Sequence, residues 1–316
     1  MFKLTPYMFS LVGPVIGQVL AAVIPAILLI IYIYKKDKVE KEPPALIIAL
    51  VVLGVVSTFG AIVTETIGQL ILRPFSYYPT VGYMIVLNFI VVGLSEEGFK
   101  FLLMKLPTWR NPAFNYRFDA IVYAVCVSLG FALFENINYV MQYGMATAAV
   151  RAVTAVPGHA CFAVFMGIWY GQAKMCASRG DRAGARRNQL LAVIVPTIVH
   201  GAYDFIATIG GGLTVAFVAF VIVMFIVAFR LVRAGSITDA PIPQGPGGPQ
   251  MPGQGGYGGP QMPGQGGYGR PQVPGQGGYG GPQMPGQGGY SGPRAPGQGG
   301  YVDPNRLGQG GPGPGR

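Results

Sequence analysis

Val91–Lys100 reads VVGLSEEGFK and sets two adjacent glutamates, Glu96 and Glu97, inside an apolar run from Val81 to Leu106. A charged side chain at the bilayer centre costs about 2.5–3.5 kcal/mol on insertion scales, so acids kept there face a bundle interior or a water-filled cavity. The pair therefore predicts a helix in a membrane bundle, with a functional hollow on its inner side. Lys100 lies one turn further on, at i+4 from Glu96 and i+3 from Glu97, within reach of either. It can neutralise one carboxylate and leave the other to act on a water.

The composition around this stretch agrees. The chain has 316 residues, of which 51% are hydrophobic and 11% charged, whereas a soluble domain carries about 25% charged residues. Seven segments are long and apolar enough to span, at residues 10–34, 45–72, 81–104, 119–142, 152–173, 189–209 and 213–230. The expected fold is an all-α polytopic membrane protein of about seven transmembrane helices. The first segment is too long for the apolar core of a cleaved signal peptide and is read as a retained helix.

Lysine and arginine cluster in alternate loops: Lys35, Lys36, Lys38 and Lys41; Lys105, Arg110 and Arg117; Arg179, Arg182, Arg186 and Arg187; then Arg230 and Arg233. The positive-inside rule assigns these loops to the cytoplasm, so the N-terminus is expected outside the cell membrane and the C-terminus inside. That placement accounts for the net charge of +10 without a nucleic-acid partner.

After Ala234 the composition changes abruptly. Residues 1–234 are expected to form the membrane-embedded domain and 235–316 a low-complexity tail. The tail repeats GGPQMPGQGGY, with Tyr257, Tyr268, Tyr279, Tyr290 and Tyr301 eleven residues apart. Such a composition buries no core, so the tail is expected to be disordered. Its tyrosines suit weak self-association or docking to a protein partner. Cys126, Cys161 and Cys176 show neither a disulfide framework nor a metal spacing, and are expected to pack as small apolar residues.

Further polar residues interrupt the other spans. Glu135 lies in GFALFENINY (130–139), followed by Asn136. His159 follows Pro157 and Gly158, which loosen the helix. His200 and Asp204 are spaced i, i+4 and share a helical face, an arrangement in which the acid orients the imidazole. Glu65 stands alone and is expected to be structural. At 1.5 Å of rise per residue, the glutamate pair, His159, His200 and Glu135 fall within about 10 Å of one another in depth. One shared hydrated site is expected, in which a glutamate, Glu96 by preference, takes a proton from water and a histidine donates to the developing oxyanion. A divalent metal such as zinc on Glu97, Glu135, His159 or His200 is the other way to activate the water. Intramembrane acids and histidines also serve ion- or proton-coupled transporters, but those folds show internal repeats that are not evident here.

EEGFK (96–100), GFALFENINY (130–139) and HGAYD (200–204), together with His159, resemble the PrsW-type intramembrane proteases of the CAAX-protease and bacteriocin-processing superfamily. The resemblance covers about residues 10–233. It implies peptide-bond hydrolysis within the membrane, with Glu96 and Glu97 carrying the base, and His200 and Asp204 forming or supporting the oxyanion site. It also implies a single-span membrane-protein substrate, of which an anti-sigma factor is the analogue. Glu135 and Asp204 stand where the prenyl-protease branch has His and Asn, and Lys100 stands in place of an arginine one residue later. These departures favour the PrsW branch.

Overall fold

The computed structural model describes residues 6–243, with side chains from Val15 onward; the expected Tyr-repeat tail lies outside the described residues. The helices in chain order are α1 (Pro6–Lys36), α2 (Pro44–Leu72), α3 (Val81–Ile85), α4 (Ser95–Thr108), α5 (Asp119–Tyr143), α6 (Met145–Val153), α7 (Ala155–Ser178), α8 (Arg182–Ile209) and α9 (Thr214–Ile237). A π-helical stretch, Val86–Leu94, joins α3 to α4 without a break. No strand forms among the described residues; one isolated bridge pairs Tyr116 with Pro241.

Six helical stretches are long and apolar enough to cross a membrane: Val15–Lys36, Pro44–Phe75, Asp119–Tyr143, Met145–Ser178, Arg182–Ile209 and Gly211–Ile237. The protein is a multi-pass helical membrane protein. The remaining expected span, 81–104, is helical throughout but consists of α3, the π-helical stretch and α4. Its charged residues Glu96, Glu97 and Lys100 are all buried. The span expected at 152–173 begins earlier, because α6 continues into α7 through a sharp bend at Thr154 (φ −120°, ψ −72°).

α5 is the axle of the bundle. Every residue from Asp119 to Ala132 is buried, because a helix that is apolar or small all round can be covered on every side. Cys126 and Cys161 are buried and unpaired, as expected of packing residues. Small residues let the backbones meet, which is how helices associate where lipid tails are as apolar as leucine. A Cβ on Gly130 would lie 2.1 Å from the Val51 carbonyl oxygen, and one on Gly54 would lie 2.0 Å from the carbonyl oxygen of Val127. The α2–α5 crossing therefore admits no side chain at either point. Gly130→Ala is expected to force these helices apart and to cost about 1–3 kcal/mol, read as a lower thermal unfolding midpoint in detergent. Gly98→Ala, where an added Cβ meets nothing within 4 Å, is the matched control and should leave the midpoint unchanged.

The chain beyond α9 returns to α5. Main-chain N–H groups of Arg117 and Ile242 donate to the carbonyls of Ala240 (3.1 Å) and Asn115 (2.7 Å), Asp239 accepts from the Phe118 N–H at 2.9 Å, and Ile242 is buried.

Candidate active site

Four helical elements contribute the polar residues: α4 with Glu96, Glu97 and Lys100; α5 with Glu135 and Asn136; α7 with His159; and α8 with His200 and Asp204. All are expected site residues, and the bundle gathers them into one connected network. The π-helical turns directly before α4 are wider than α-helical ones, a feature that recurs at functional sites. Beyond them both glutamates turn inward.

Lys100 is the hub. Its ammonium donates to Glu96 Oε2 (3.0 Å) and Glu97 Oε1 (2.8 Å) on its own helix. Its third contact is His159 Nδ1, at 3.1 Å. An ammonium has three donors and no acceptor, so all three are spent and His159 Nδ1 must accept. The same nitrogen lies 4.1 Å from the centre of the Phe131 ring, a favourable cation–π position. Lys100 and Glu97 are wholly excluded from solvent.

The imidazoles are held from both ends. With Nδ1 accepting, His159 carries its proton on Nε2 and donates to Glu135 Oε2 at 2.8 Å. His200 Nδ1 lies 3.0 Å from Glu97 Oε1. His200 Nε2 lies 3.3 Å from Asp204 Oδ2 and 3.9 Å from Glu96 Oε2. Phe162 stacks on the His200 ring with centroids 4.5 Å apart, and the two imidazole centroids are 5.4 Å apart. The network is most open at Asp204 and Glu135, whose side chains are 26% and 23% exposed. The expected i, i+4 pairing of His200 with Asp204 is present.

One partner escaped the sequence reading. Arg151, which reads as a loop-edge cation, reaches back from α6 to make an ion pair with Glu135 Oε2 at 2.9 Å. Its Nε also donates to Asn136 Oδ1 at 2.8 Å, while the Asn136 amide donates to the Ala22 carbonyl of α1. A lone arginine opposite a membrane-embedded acid was the available signal. Glu65, expected to be structural, is half-buried on α2.

The donor set also fits a metal. Glu96, His159 and His200 each offer one ligand atom, all within 4.8 Å of one another and buried. Two imidazoles and a carboxylate are the ligand set of many catalytic zinc sites. Glu97 and Glu135 stand behind this trio, each hydrogen-bonded to one of its imidazoles, the position from which carboxylates orient metal-binding histidines; Lys100 holds His159 Nδ1 and Glu96 Oε2 here and would have to release them to an ion.

The sequence matches the PrsW family intramembrane metalloprotease over residues 42–230. The chain belongs to the PrsW family. Protease PrsW of Oceanobacillus iheyensis is 34% identical over 219 residues, covering 69% of this chain and 96% of that protein. Protease PrsW of Bacillus subtilis is 33% identical, covering 60% of this chain and 81% of its own length. The Clostridioides difficile protein of the same name is 29% identical, over 60% and 79%. No solved structure matches. Family membership makes the chain an intramembrane protease, and it decides between proteolysis and ion-coupled transport in favour of proteolysis. It also agrees with a possible divalent metal in the site.

Proposed function

We propose that the chain cleaves a peptide bond in a membrane-protein substrate by water that Glu96 activates. The observation that carries this reading is the convergence of Glu96, His159 and His200, which are buried and whose ligand atoms lie within 4.8 Å of one another. Both carboxylates accept from Lys100, but Glu97 Oε1 is also engaged with His200 Nδ1 at 3.0 Å, whereas Glu96 comes only within 3.9 Å of His200 Nε2. Glu96 takes a proton from water as the water oxygen bonds to the scissile carbonyl carbon. The carbonyl oxygen becomes an oxyanion, which His200, steadied by Glu97 and Asp204, meets with an N–H. When the C–N bond breaks, the proton held by Glu96 goes to the departing amine. Were a divalent metal held by Glu96, His159 and His200, those side chains would serve as ligands instead of base and N–H donor, and the ion would supply Lewis-acid polarisation of the carbonyl and a more acidic water. Glu135 and Arg151 hold His159 in place, and Asn136 ties that pair to α1.

The substrate class in this reading is a single-span membrane protein, by analogy an anti-sigma factor, and the site is the cell membrane with the C-terminus in the cytoplasm. The basic residues in alternate loops support that orientation. The test is cleavage of a single-span reporter by the purified, reconstituted protein. His200→Ala should reduce cleavage by at least about a hundredfold while the protein stays folded in detergent. Wild-type cleavage by His200→Ala would refute the assigned role.

A further inference from the structure

Away from the catalytic network, three carboxylates meet where the α1–α2 loop approaches the start of α5. Asp37, Glu42 and Asp119 each offer one oxygen within 4.8 Å of the others, and all three are buried. Three like charges so close and so dry repel one another unless something positive lies between them. Among the described residues no lysine, arginine or histidine forms an ion pair with any of them. Lys41, the nearest candidate, spends its ammonium on main-chain carbonyls, those of Tyr34 (2.5 Å) and Asp37.

The remaining hydrogen bonds shape the cluster without neutralising it. Tyr123 donates its hydroxyl to Glu42 Oε2 at 2.7 Å. Asp119 Oδ2 accepts the main-chain N–H groups of Asn115 (3.0 Å) and Tyr116 (2.7 Å), and its side chain lies against that of Glu42. Asp37 is the decisive residue. It is 1% exposed, and its carboxylate oxygens meet no side-chain donor; the nearest donor is the Glu42 main-chain N–H. Burial pushes the Asp37 carboxyl up to about 6, against the pull of Lys41. It pushes Glu42 up to about 7, against the Tyr123 hydrogen bond.

We infer that Asp37, Glu42 and Asp119 form a binding site for a hard divalent cation, distinct from the catalytic network. The donors are all oxygen, the choice of Ca2+, Mg2+ or Mn2+ rather than of zinc, which favours nitrogen and sulfur. Tyr123 orients Glu42 as an outer partner, and the two N–H groups on Asp119 do the same for that ligand. The ion would clamp the α1–α2 loop to the N-terminus of α5, the helix on which the bundle is built.

The experiment uses the full chain, purified in detergent and stripped with chelator, then titrated separately with Ca2+, Mg2+ and Mn2+. Thermal unfolding and calorimetric binding are read for wild type, Asp37→Asn and His200→Ala. One of the three ions should raise the wild-type and His200→Ala midpoints by about 5 °C at a hundredfold excess over its dissociation constant, and should leave Asp37→Asn unmoved. In chelator, Asp37→Asn should unfold no lower than wild type, because the substitution removes an uncompensated charge. A wild-type midpoint and calorimetric trace indifferent to all three ions would overturn the site. So would a shift that Asp37→Asn keeps or that His200→Ala loses.

Discussion

Glu96→Gln is expected to lower turnover of a transmembrane reporter by about 10²–10⁴-fold, the usual contribution of a positioned general base. The amide keeps the volume and one acceptor oxygen for Lys100, so the fold should survive with a change of under about 1 kcal/mol. The effect should fall on kcat rather than KM, because the lost proton transfer belongs to the transition state. Glu97→Gln should divide differently. That carboxylate is wholly buried and joins Lys100 to His200 at 2.8 and 3.0 Å, so its loss should appear first in the thermal midpoint and only secondarily in rate. Comparing kcat and midpoint for the two variants checks the assignment. Equal turnover by Glu96→Gln and wild type would remove Glu96 as the base.

Lys100→Met should give the largest loss of stability of any single substitution in the site, about 3–5 kcal/mol. The methionine fills the space, but Glu96 and Glu97 are left as neighbouring buried acids and His159 Nδ1 loses its donor. The measurements are yield of monodisperse protein in detergent and the unfolding midpoint. Adding Glu97→Gln to Lys100→Met removes one of the stranded charges and should recover part of the loss, a coupling that a double-mutant cycle reads directly. Lys100→Arg should not substitute, because a planar guanidinium cannot aim three donors at acceptors gathered around one nitrogen. A Lys100→Met protein as stable as wild type would show that the acids are compensated by something other than this lysine.

Much of this was readable from side-chain type and spacing. Glu96, Glu97 and Lys100 are within one turn, so their contact follows from helical geometry alone. His200 and Asp204 are likewise one turn apart. Arg151 was not readable as a partner of Glu135, because their contact depends on how the chain leaves α5 at Gly144 (φ 83°) and passes through α6. The pairing of Asp37 with Asp119 was equally hidden, since 82 positions separate them in the chain and nothing local marks either as a ligand.

What the residue order determined by itself is the medium and the inventory. Long apolar runs require a bilayer, and the acids and imidazoles inside those runs must share a polar interior, because lipid offers them no partner. What only the packed bundle decided is which atom meets which. Those choices rest on helix rotation and crossing points set by glycine-to-backbone contacts such as Gly130 on Val51, and such contacts join residues distant in the chain. They placed Glu96 within ligand distance of both imidazoles, set Glu97 against His200 Nδ1, and buried Asp37 without an ion-pair partner.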